Sequence, residues 1–151
     1  MIQDLSQELS PEVRLLKPSD EIQFLNLLTE FRPANLPHDI FIGILKIRIS
    51  RGTLTYVMLT PTKELIGTAS LVPDVKFIND GCTAGFVEDV VIKKEYQRKG
   101  YGSLLLERLK RDAKTLQMYK LVLSCEAKNI GFYEKNGFVK QGGGTMRFNI
   151  L

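Results

Sequence analysis

The sequence predicts an α+β domain in which helices flank a mostly antiparallel sheet. Apolar residues recur along the chain at two alternating periods, the two-residue period of strands and the 3.6-residue period of helices. The predicted element order is β-α-α-β-β-β-α-β-α-β-β, which is typical of this class. No repeat or linker separates the segments, so we expect residues 1–151 to form one domain.

The first third of the chain predicts one strand and two helices. Residues 12–16 read as a short strand. Ser19 is a candidate N-cap, with two acidic residues in the first turn of a helix that runs to about Phe31. Pro37 suits the first turn of a second helix, which stops at Gly52.

The middle of the chain predicts strands and one long amphipathic helix. The predicted strands are residues 53–59, 65–71, 86–92 and 120–124, of which the first two form a hairpin. The helix follows residue 100, and its apolar face consists of Leu105, Leu106, Leu109, Ala113 and Leu116. Residues 129–135 predict a short helix closed by Gly137. Two final strands are predicted at residues 138–141 and 145–150, on either side of three glycines.

Composition indicates a globular domain with a hydrophobic core. Hydrophobic residues make up 44% of the chain and charged residues 25%. Lysine and arginine number 21 against 17 acidic residues, a formal net charge of +4, with no basic run of five. This excess fits a slightly basic solvated surface. A local patch for an anionic small ligand and a nucleic-acid-binding domain are the alternatives, and we expect no nucleic-acid partner.

Cysteine content and the N-terminal segment favour the cytoplasm. The two cysteines, Cys82 and Cys125, are too few for the disulfide framework of a secreted domain. The segment after Met1 is polar and contains acids, unlike a secretory signal. No apolar run approaches the roughly 20 residues of a spanning helix, so we expect no membrane partner.

The most specific motif is Gln97-Arg98-Lys99-Gly100-Tyr101-Gly102, between a predicted strand and a helix start. Backbone N–H groups in such a loop and the positive end of the helix dipole attract an anion, and glycines let a phosphate approach closely. A pyrophosphate would fit there. The spacing matches neither nucleotide triphosphatases nor dinucleotide folds. An ordinary glycine-bearing loop is the alternative.

This loop and the helix after it resemble the coenzyme A loop of the GNAT superfamily of N-acetyltransferases, whose fold has a similar element order. Three further segments are similar to the glucosamine 6-phosphate N-acetyltransferases of that superfamily. They are Val87-Glu88-Asp89-Val90-Val91, Tyr119-Lys120-Leu121, and the run from Lys128-Asn129 through Phe132-Tyr133-Glu134-Lys135 to Gly137-Phe138. The strong resemblance covers about residues 75–140, whereas residues 1–60 match mainly in pattern.

The resemblance implies direct transfer of the acetyl group of acetyl-CoA to the amine of glucosamine 6-phosphate in a ternary complex. The products would be CoA and N-acetylglucosamine 6-phosphate, which feeds UDP-N-acetylglucosamine biosynthesis, and no metal would take part. The alternatives are acetyl transfer to another primary amine, such as a protein N-terminus or a polyamine, and a non-catalytic module that binds coenzyme A.

The resemblance also implies where acetyl-CoA binds. The strand that holds Val90 is expected to carry a bulge and to splay from its neighbour, so that free backbone groups pair with pantetheine and one N–H polarises the thioester carbonyl. The implied contacts are Val90, Val91, Ile92, Arg98, Lys99, Gly100, Tyr101, Gly102, Ser103, Ser124, Asn129 and Tyr133.

Three residues have implied catalytic roles. Tyr133 would be the acid that protonates the leaving thiolate, and the alternative is a core aromatic residue. Glu88 and Asp89 would hold the amino sugar and help to take up the amine proton. Both can face one site only if a bulge intervenes, and the alternative is a solvated acid pair at a strand end.

The implied acceptor contacts are scattered along the chain. They are Thr29, Lys76, Phe77, Ile78, Asn79, Glu88, Asp89, Tyr119, Lys120 and Arg147. Taken singly, each has an ordinary surface or core role as its alternative. Two positions depart from the family, because Ser124 stands where an assisting acid is usual and Asn149 aligns with the phosphate-binding arginine. Arg147 lies two residues earlier and could take that role.

The resemblance further implies a homodimer. In the family, C-terminal strands contribute across the subunit interface. We therefore expect two copies of this chain to associate.

Overall fold

A five-stranded sheet with the strand order β1-β2-β3-β4-β5 lies at the centre of the fold. The computed structural model describes residues 10–150. The strands are Glu12–Leu15 (β1), Leu54–Leu59 (β2), Leu65–Val75 (β3), Thr83–Ile92 (β4) and Met118–Val122 (β5). The helices are Glu21–Thr29 (α1), His38–Ser50 (α2), Ile78–Gly81 (α3), Tyr101–Thr115 (α4) and Ile130–Lys135 (α5). Strands β1 to β4 pair antiparallel and β5 pairs parallel to β4, so the sheet is mixed and mostly antiparallel.

Helix α4 covers one face of the sheet. Its buried residues recur at helical spacing and are Leu105, Leu106, Leu109 and Ala113. They pack in one cluster with the sheet residues Tyr56, Met58, Ile66, Ala69, Leu71 and Val87. Burial of a large apolar side chain contributes about 1.5 to 3 kcal/mol. This packing therefore fixes α4, and with it the loop from which α4 starts.

Helices α1 and α2 cover the opposite face. Leu27 of α1 packs in a second cluster, whose sheet members are Val57, Leu59, Leu65 and Val91. Helix α2 contacts α1 through an edge-to-face pair between Phe41 and Phe24, with ring centroids 6.3 Å apart. The two clusters assign each strand residue to the α4 side or to the α1 and α2 side.

An ion pair anchors the start of α1. The two terminal nitrogens of Arg14 donate to the Asp20 carboxylate at 2.7 and 2.8 Å, and the backbone N–H of Lys17 donates to the same carboxylate at 2.8 Å. The Arg14 hydrogen bonds hold the pKa of Asp20 below its ordinary value. Residues Pro18–Asp20 form a 3-10 turn, so α1 begins at Glu21 rather than directly after Ser19.

The structure confirms the predicted order of elements from β1 to α5, with shifted ends and with one short helix, α3, that was not predicted. Strand β3 runs on to Val75 and β4 starts at Thr83, so both strands are longer than predicted, and they form a second antiparallel pair beside the predicted β2–β3 hairpin. The loop between them contains α3, in which Asn79 and Asp80 have positive φ. Within residues 10–150, no helix combines the length and apolar character needed to cross a membrane.

The prediction of two C-terminal strands is wrong for this chain by itself. Residues 138–150 contain no strand, and Met146, Phe148 and Ile150 are 95%, 90% and 86% exposed. Alternating apolar residues form a strand only when a neighbouring strand supplies hydrogen bonds and an apolar face. No strand within residues 10–150 pairs with this segment.

Candidate active site

The site is built around a gap between β4 and β5. The two strands pair from Thr83 with Met118 to Phe86 with Val122, where β5 ends. Strand β4 continues to Ile92 without β5 beside it. Among residues 10–150 no strand pairs with the β5-facing backbone groups of this part of β4, so these groups can pair with an extended ligand.

A bulge in β4 lies beside this gap. In the β3–β4 ladder Thr68 pairs with Val91 but Ser70 pairs with Glu88, so β4 contains one extra residue. Asp89 has a φ of 52° at this point. The bulge implied by the family resemblance is therefore present in this strand.

The bulge changes which side chains share a face. Val87 and Val90 both pack against the α4 cluster, although residues three apart in a regular strand would face opposite sides. Glu88 is the cross-strand partner of Ser70 and lies on the α1 and α2 side. Both Glu88 and Asp89 are exposed, so the two carboxylates are open to solvent next to the gap.

The glycine-bearing loop leads into the first turn of α4. Gly100 is the N-cap residue of α4 and has a φ of 85°, and Arg98 has a φ of 60°. The Gln97 side chain donates to the carbonyl of Ile92 at 3.0 Å, which ties the loop to the end of β4. The N–H groups of the first helical turn, the helix dipole and the exposed Arg98 and Lys99 together favour a pyrophosphate here.

Gly102 has a packing role besides its place in this loop. A Cβ atom there would lie 2.9 Å from Cζ of Phe132, so the first turn of α4 approaches α5 closely. Phe132 and Tyr133 are neighbours in α5, with ring centroids 5.0 Å apart. The contact between Gly102 and Phe132 thus fixes the position of the glycine-bearing loop relative to Tyr133.

Tyr133 lies on the α4 side of the gap. It packs edge-to-face against Phe138 at 5.8 Å and against the cluster under α4. Burial raises the pKa of Tyr133 above its ordinary value, and the nearby Cys125 adds to the rise. The phenol therefore carries its proton at neutral pH and can act as an acid.

Glu88 and Tyr133 flank the gap from opposite faces of the sheet. An acyl group held in the gap would have carboxylates on one side and a protonated phenol on the other. Ser124 and Asn129 are exposed in the segment between β5 and α5, which borders the gap. This arrangement suits transfer of an acyl group, with proton uptake on one side and proton delivery on the other.

Several predicted acceptor residues lie at the end of the sheet away from the gap. Residues 76–79 form the β3–β4 loop, and Tyr119 and Lys120 lie near the start of β5. That end of β4 is about 17 Å from Glu88 at the usual rise per strand residue. Lys76 pairs with Asp74, and the Lys120 ammonium lies 5.2 Å from the Tyr119 ring centroid. A single chain does not bring these residues to the gap.

The two remaining acceptor predictions lie at the end of α1 and in the C-terminal segment. Thr29 is the last residue of α1, and its hydroxyl donates to the carbonyl of Leu25 at 2.8 Å. Arg147 lies in the exposed C-terminal segment, and its Nε donates to Asn149 at 2.7 Å.

Arg48 is a partly buried charged residue that the sequence analysis did not single out. Its side chain leaves the face of α2 that also carries the buried Phe41 and Leu45, and it bonds to hydroxyl groups of β2 and β3. The available signal was its spacing, because positions 41, 45 and 48 share one helix face. A charged residue on a buried face needs a structural or functional explanation.

The chain is similar to known acetyltransferases in sequence. The family model described as acetyltransferase (GNAT) family matches residues 22–138. Glucosamine 6-phosphate N-acetyltransferase of Trypanosoma brucei brucei is 34% identical over 131 residues, which cover 84% of this chain and 88% of that protein. The enzyme of the same name from Schizosaccharomyces pombe is 38% identical over 79 residues, covering 52% of this chain and 71% of that protein.

Solved structures show the same fold. A Trypanosoma brucei acetyltransferase superposes with a TM-score of 0.87 at 32% identity, and the match covers 93% of this chain and 100% of that chain. Glucosamine-6-phosphate N-acetyltransferase from Arabidopsis thaliana superposes with a TM-score of 0.85 at 26% identity, covering 92% of this chain and 98% of that chain.

Proposed function

The chain belongs to the acetyltransferase (GNAT) family, and on that premise we propose that it acetylates the amine of glucosamine 6-phosphate with acetyl-CoA. The observation that carries the proposal is the 34% identity to an enzyme of that activity over 84% of this chain. The products are CoA and N-acetylglucosamine 6-phosphate, a precursor for UDP-N-acetylglucosamine. We expect the whole of residues 1–151 to act as one catalytic domain in the cytoplasm.

Acetyl-CoA is the acetyl donor in this family and binds in the gap. The loop amides from Arg98 to Ser103 hold its pyrophosphate, and the unpaired β4 backbone from Val90 to Ile92 pairs with its pantetheine arm. Asn129 and Ser124 border the same arm. These assignments rest on the positive φ of Gly100, the free first turn of α4 and the end of β4–β5 pairing at Phe86.

The chemical step needs no covalent enzyme intermediate. The amine nitrogen attacks the thioester carbonyl carbon, and a β4 backbone N–H in the gap stabilises the oxyanion. The carbon–sulfur bond then breaks, the thiolate takes the proton of Tyr133, and the Tyr133 phenolate regains a proton from solvent. Glu88 and Asp89 hold the amino sugar and pass the amine proton to solvent. The raised pKa of Tyr133 and the exposed acids on the other face support this division of roles.

We further propose that the protein works as a homodimer. The apolar residues Met146, Phe148 and Ile150 are exposed in one chain, where they gain nothing from burial. Lys76, Lys120 and Arg147 also reach an acceptor only if a second chain brings them there. Sedimentation at micromolar concentration should give twice the chain mass of 17.1 kDa, and deletion of residues 142–151 should shift the protein to monomer. A wild-type monomer contradicts the proposal.

A thiol-release assay tests the proposed acceptor. The purified protein is supplied with acetyl-CoA and, in separate reactions, glucosamine 6-phosphate, glucosamine, a polyamine or a peptide with a free N-terminus. We expect the highest kcat/KM with glucosamine 6-phosphate. Faster release with the peptide or polyamine would reassign the acceptor, and binding of acetyl-CoA without release for any amine would indicate a non-catalytic module.

A further inference from the structure

Arg48 extends from α2 across the face of the sheet that carries Glu88. Its Nε donates to the hydroxyl of Thr55 on β2 at 3.0 Å. Its Nη2 donates to the hydroxyl of Ser70 on β3 at 2.6 Å. Because β3 lies between β2 and β4, the end of the guanidinium is nearer to β4 than Nε is.

The charge of Arg48 has no counter-charge among residues 10–150. Both side-chain partners are neutral hydroxyls, and none of the ion pairs in that part of the chain includes this arginine. Withdrawing a guanidinium from water without an anion is unfavourable, so an anionic ligand would bind there with little competition. Of its five N–H groups two are used, which leaves three donors.

The guanidinium lies beside the acid pair. Ser70 is the direct cross-strand partner of Glu88, and neighbouring strands are about 4.8 Å apart. Arg48 is therefore bonded to the β3 residue that lies directly across from Glu88, whose side chain is exposed. Within the same chain the other predicted phosphate ligands lie away from Glu88, since Lys76 pairs with Asp74 and Arg147 lies on the C-terminal segment.

We propose that Arg48 binds the phosphate group of the acceptor, within the same chain that supplies Glu88 and Asp89. The inference rests on the proposed function. An amino sugar phosphate carries its amine and its phosphate on opposite sides of one ring, so an amine held at the acid pair leaves the phosphate about one ring width away. Arg48, bonded to β3 across from Glu88, is the cation that the same chain places on this side of the acid pair. A planar guanidinium binds a phosphate with paired hydrogen bonds, which makes Arg48 a determinant of specificity for phosphorylated acceptors.

Kinetics with paired acceptors test this role. For Arg48→Met we expect kcat/KM for glucosamine 6-phosphate to fall about 10- to 100-fold, the effect of losing a hydrogen-bonded charged contact. The kcat/KM for unphosphorylated glucosamine and the KM for acetyl-CoA should change less than about threefold, because neither of these substrates makes the proposed contact between Arg48 and the acceptor phosphate. Arg48→Lys should recover part of the loss. Arg51→Met is the matched control, since Arg51 is exposed at the end of the same helix.

An equal loss for both acceptors would overturn the proposal and make Arg48 structural, and no loss for the phosphorylated acceptor would remove it from the site. Calorimetric binding of glucosamine 6-phosphate in the presence of CoA separates this inference from the proposed function. Absence of turnover by the wild type would defeat the function. Equal affinity of wild type and Arg48→Met, or no binding by either, would defeat the role of Arg48.

Discussion

Gly102 and Phe132 touch so closely that a methyl group on the glycine would meet the ring at 2.9 Å. Gly102 lies in the first turn of α4 and Phe132 lies in α5, one residue before Tyr133. The contact joins the pyrophosphate loop to the proposed acid. A change at Gly102 should therefore disturb two parts of the site through packing alone.

Gly102→Ala should destabilise the fold and lower turnover. Overpacking a tight contact costs about 1 to 3 kcal/mol, and the displaced Phe132 would carry Tyr133 with it. Gly131→Ala is the control, because no described atom lies within 4 Å of a Cβ at that exposed helix position. Alanine has the higher helix propensity, so this variant should gain about 0.5 to 1 kcal/mol in free energy of unfolding. Urea unfolding measures both. Wild-type stability in Gly102→Ala would show that the ring moves aside without cost.

Gly100→Val should raise the KM for acetyl-CoA. Nothing lies within 4 Å of a Cβ at Gly100, so the cause is its φ of 85° rather than lack of space. A β-branched residue in this region costs about 1 to 3 kcal/mol, which would shift the loop amides away from the pyrophosphate. Gly100→Asn tolerates the conformation better and should keep a near-normal KM. Equal KM values in both variants and the wild type would place the pyrophosphate elsewhere.

Tyr133→Phe should lower kcat about 10²- to 10⁴-fold, the usual cost of losing a general acid. The KM for acetyl-CoA should stay nearly constant, since the ring still packs between Phe132 and Phe138. Because burial raises the pKa of Tyr133 above its ordinary value, the wild type should lose no activity through this group below about pH 10. Steady-state kinetics across pH provide the check, and an unchanged kcat would reduce Tyr133 to a packing residue.

Asp20→Asn should destabilise the protein at pH 7. The substitution leaves the Arg14 guanidinium without its carboxylate, which costs about 2 to 3 kcal/mol. The pKa of Asp20 is lowered in the folded state, so its contribution to stability is complete above the ordinary carboxyl pKa and is lost as the pH falls through the folded value. The difference in unfolding free energy between wild type and variant should shrink below about pH 4. A constant difference down to pH 2 would contradict this linkage.

The elements around the site were predictable because their signals are local. The apolar stripe of α4 lies within 15 residues, and the loop from Gln97 to Gly102 adjoins it in sequence. A family resemblance over contiguous motifs also pointed to Glu88, Asp89 and Tyr133. The prediction of two C-terminal strands was wrong for the opposite reason. The alternation of Met146, Phe148 and Ile150 is a local pattern, but a strand also needs a partner strand, which a local pattern does not supply.

The sequence by itself determined the order of the main helices and strands from β1 to α5, the glycine-bearing loop before α4 and the family, because short windows of periodicity, capping and motif spacing encode them. Only the tertiary structure decided where β4 bulges and where its pairing with β5 ends. It also decided that Gly102 packs against Phe132 and that Arg48 lies on the same face of the sheet as Glu88. These relations depend on the register of strands and on contacts between residues far apart in the chain. A local sequence pattern does not predict which side chains from distant parts of the chain will lie on the same face of a sheet.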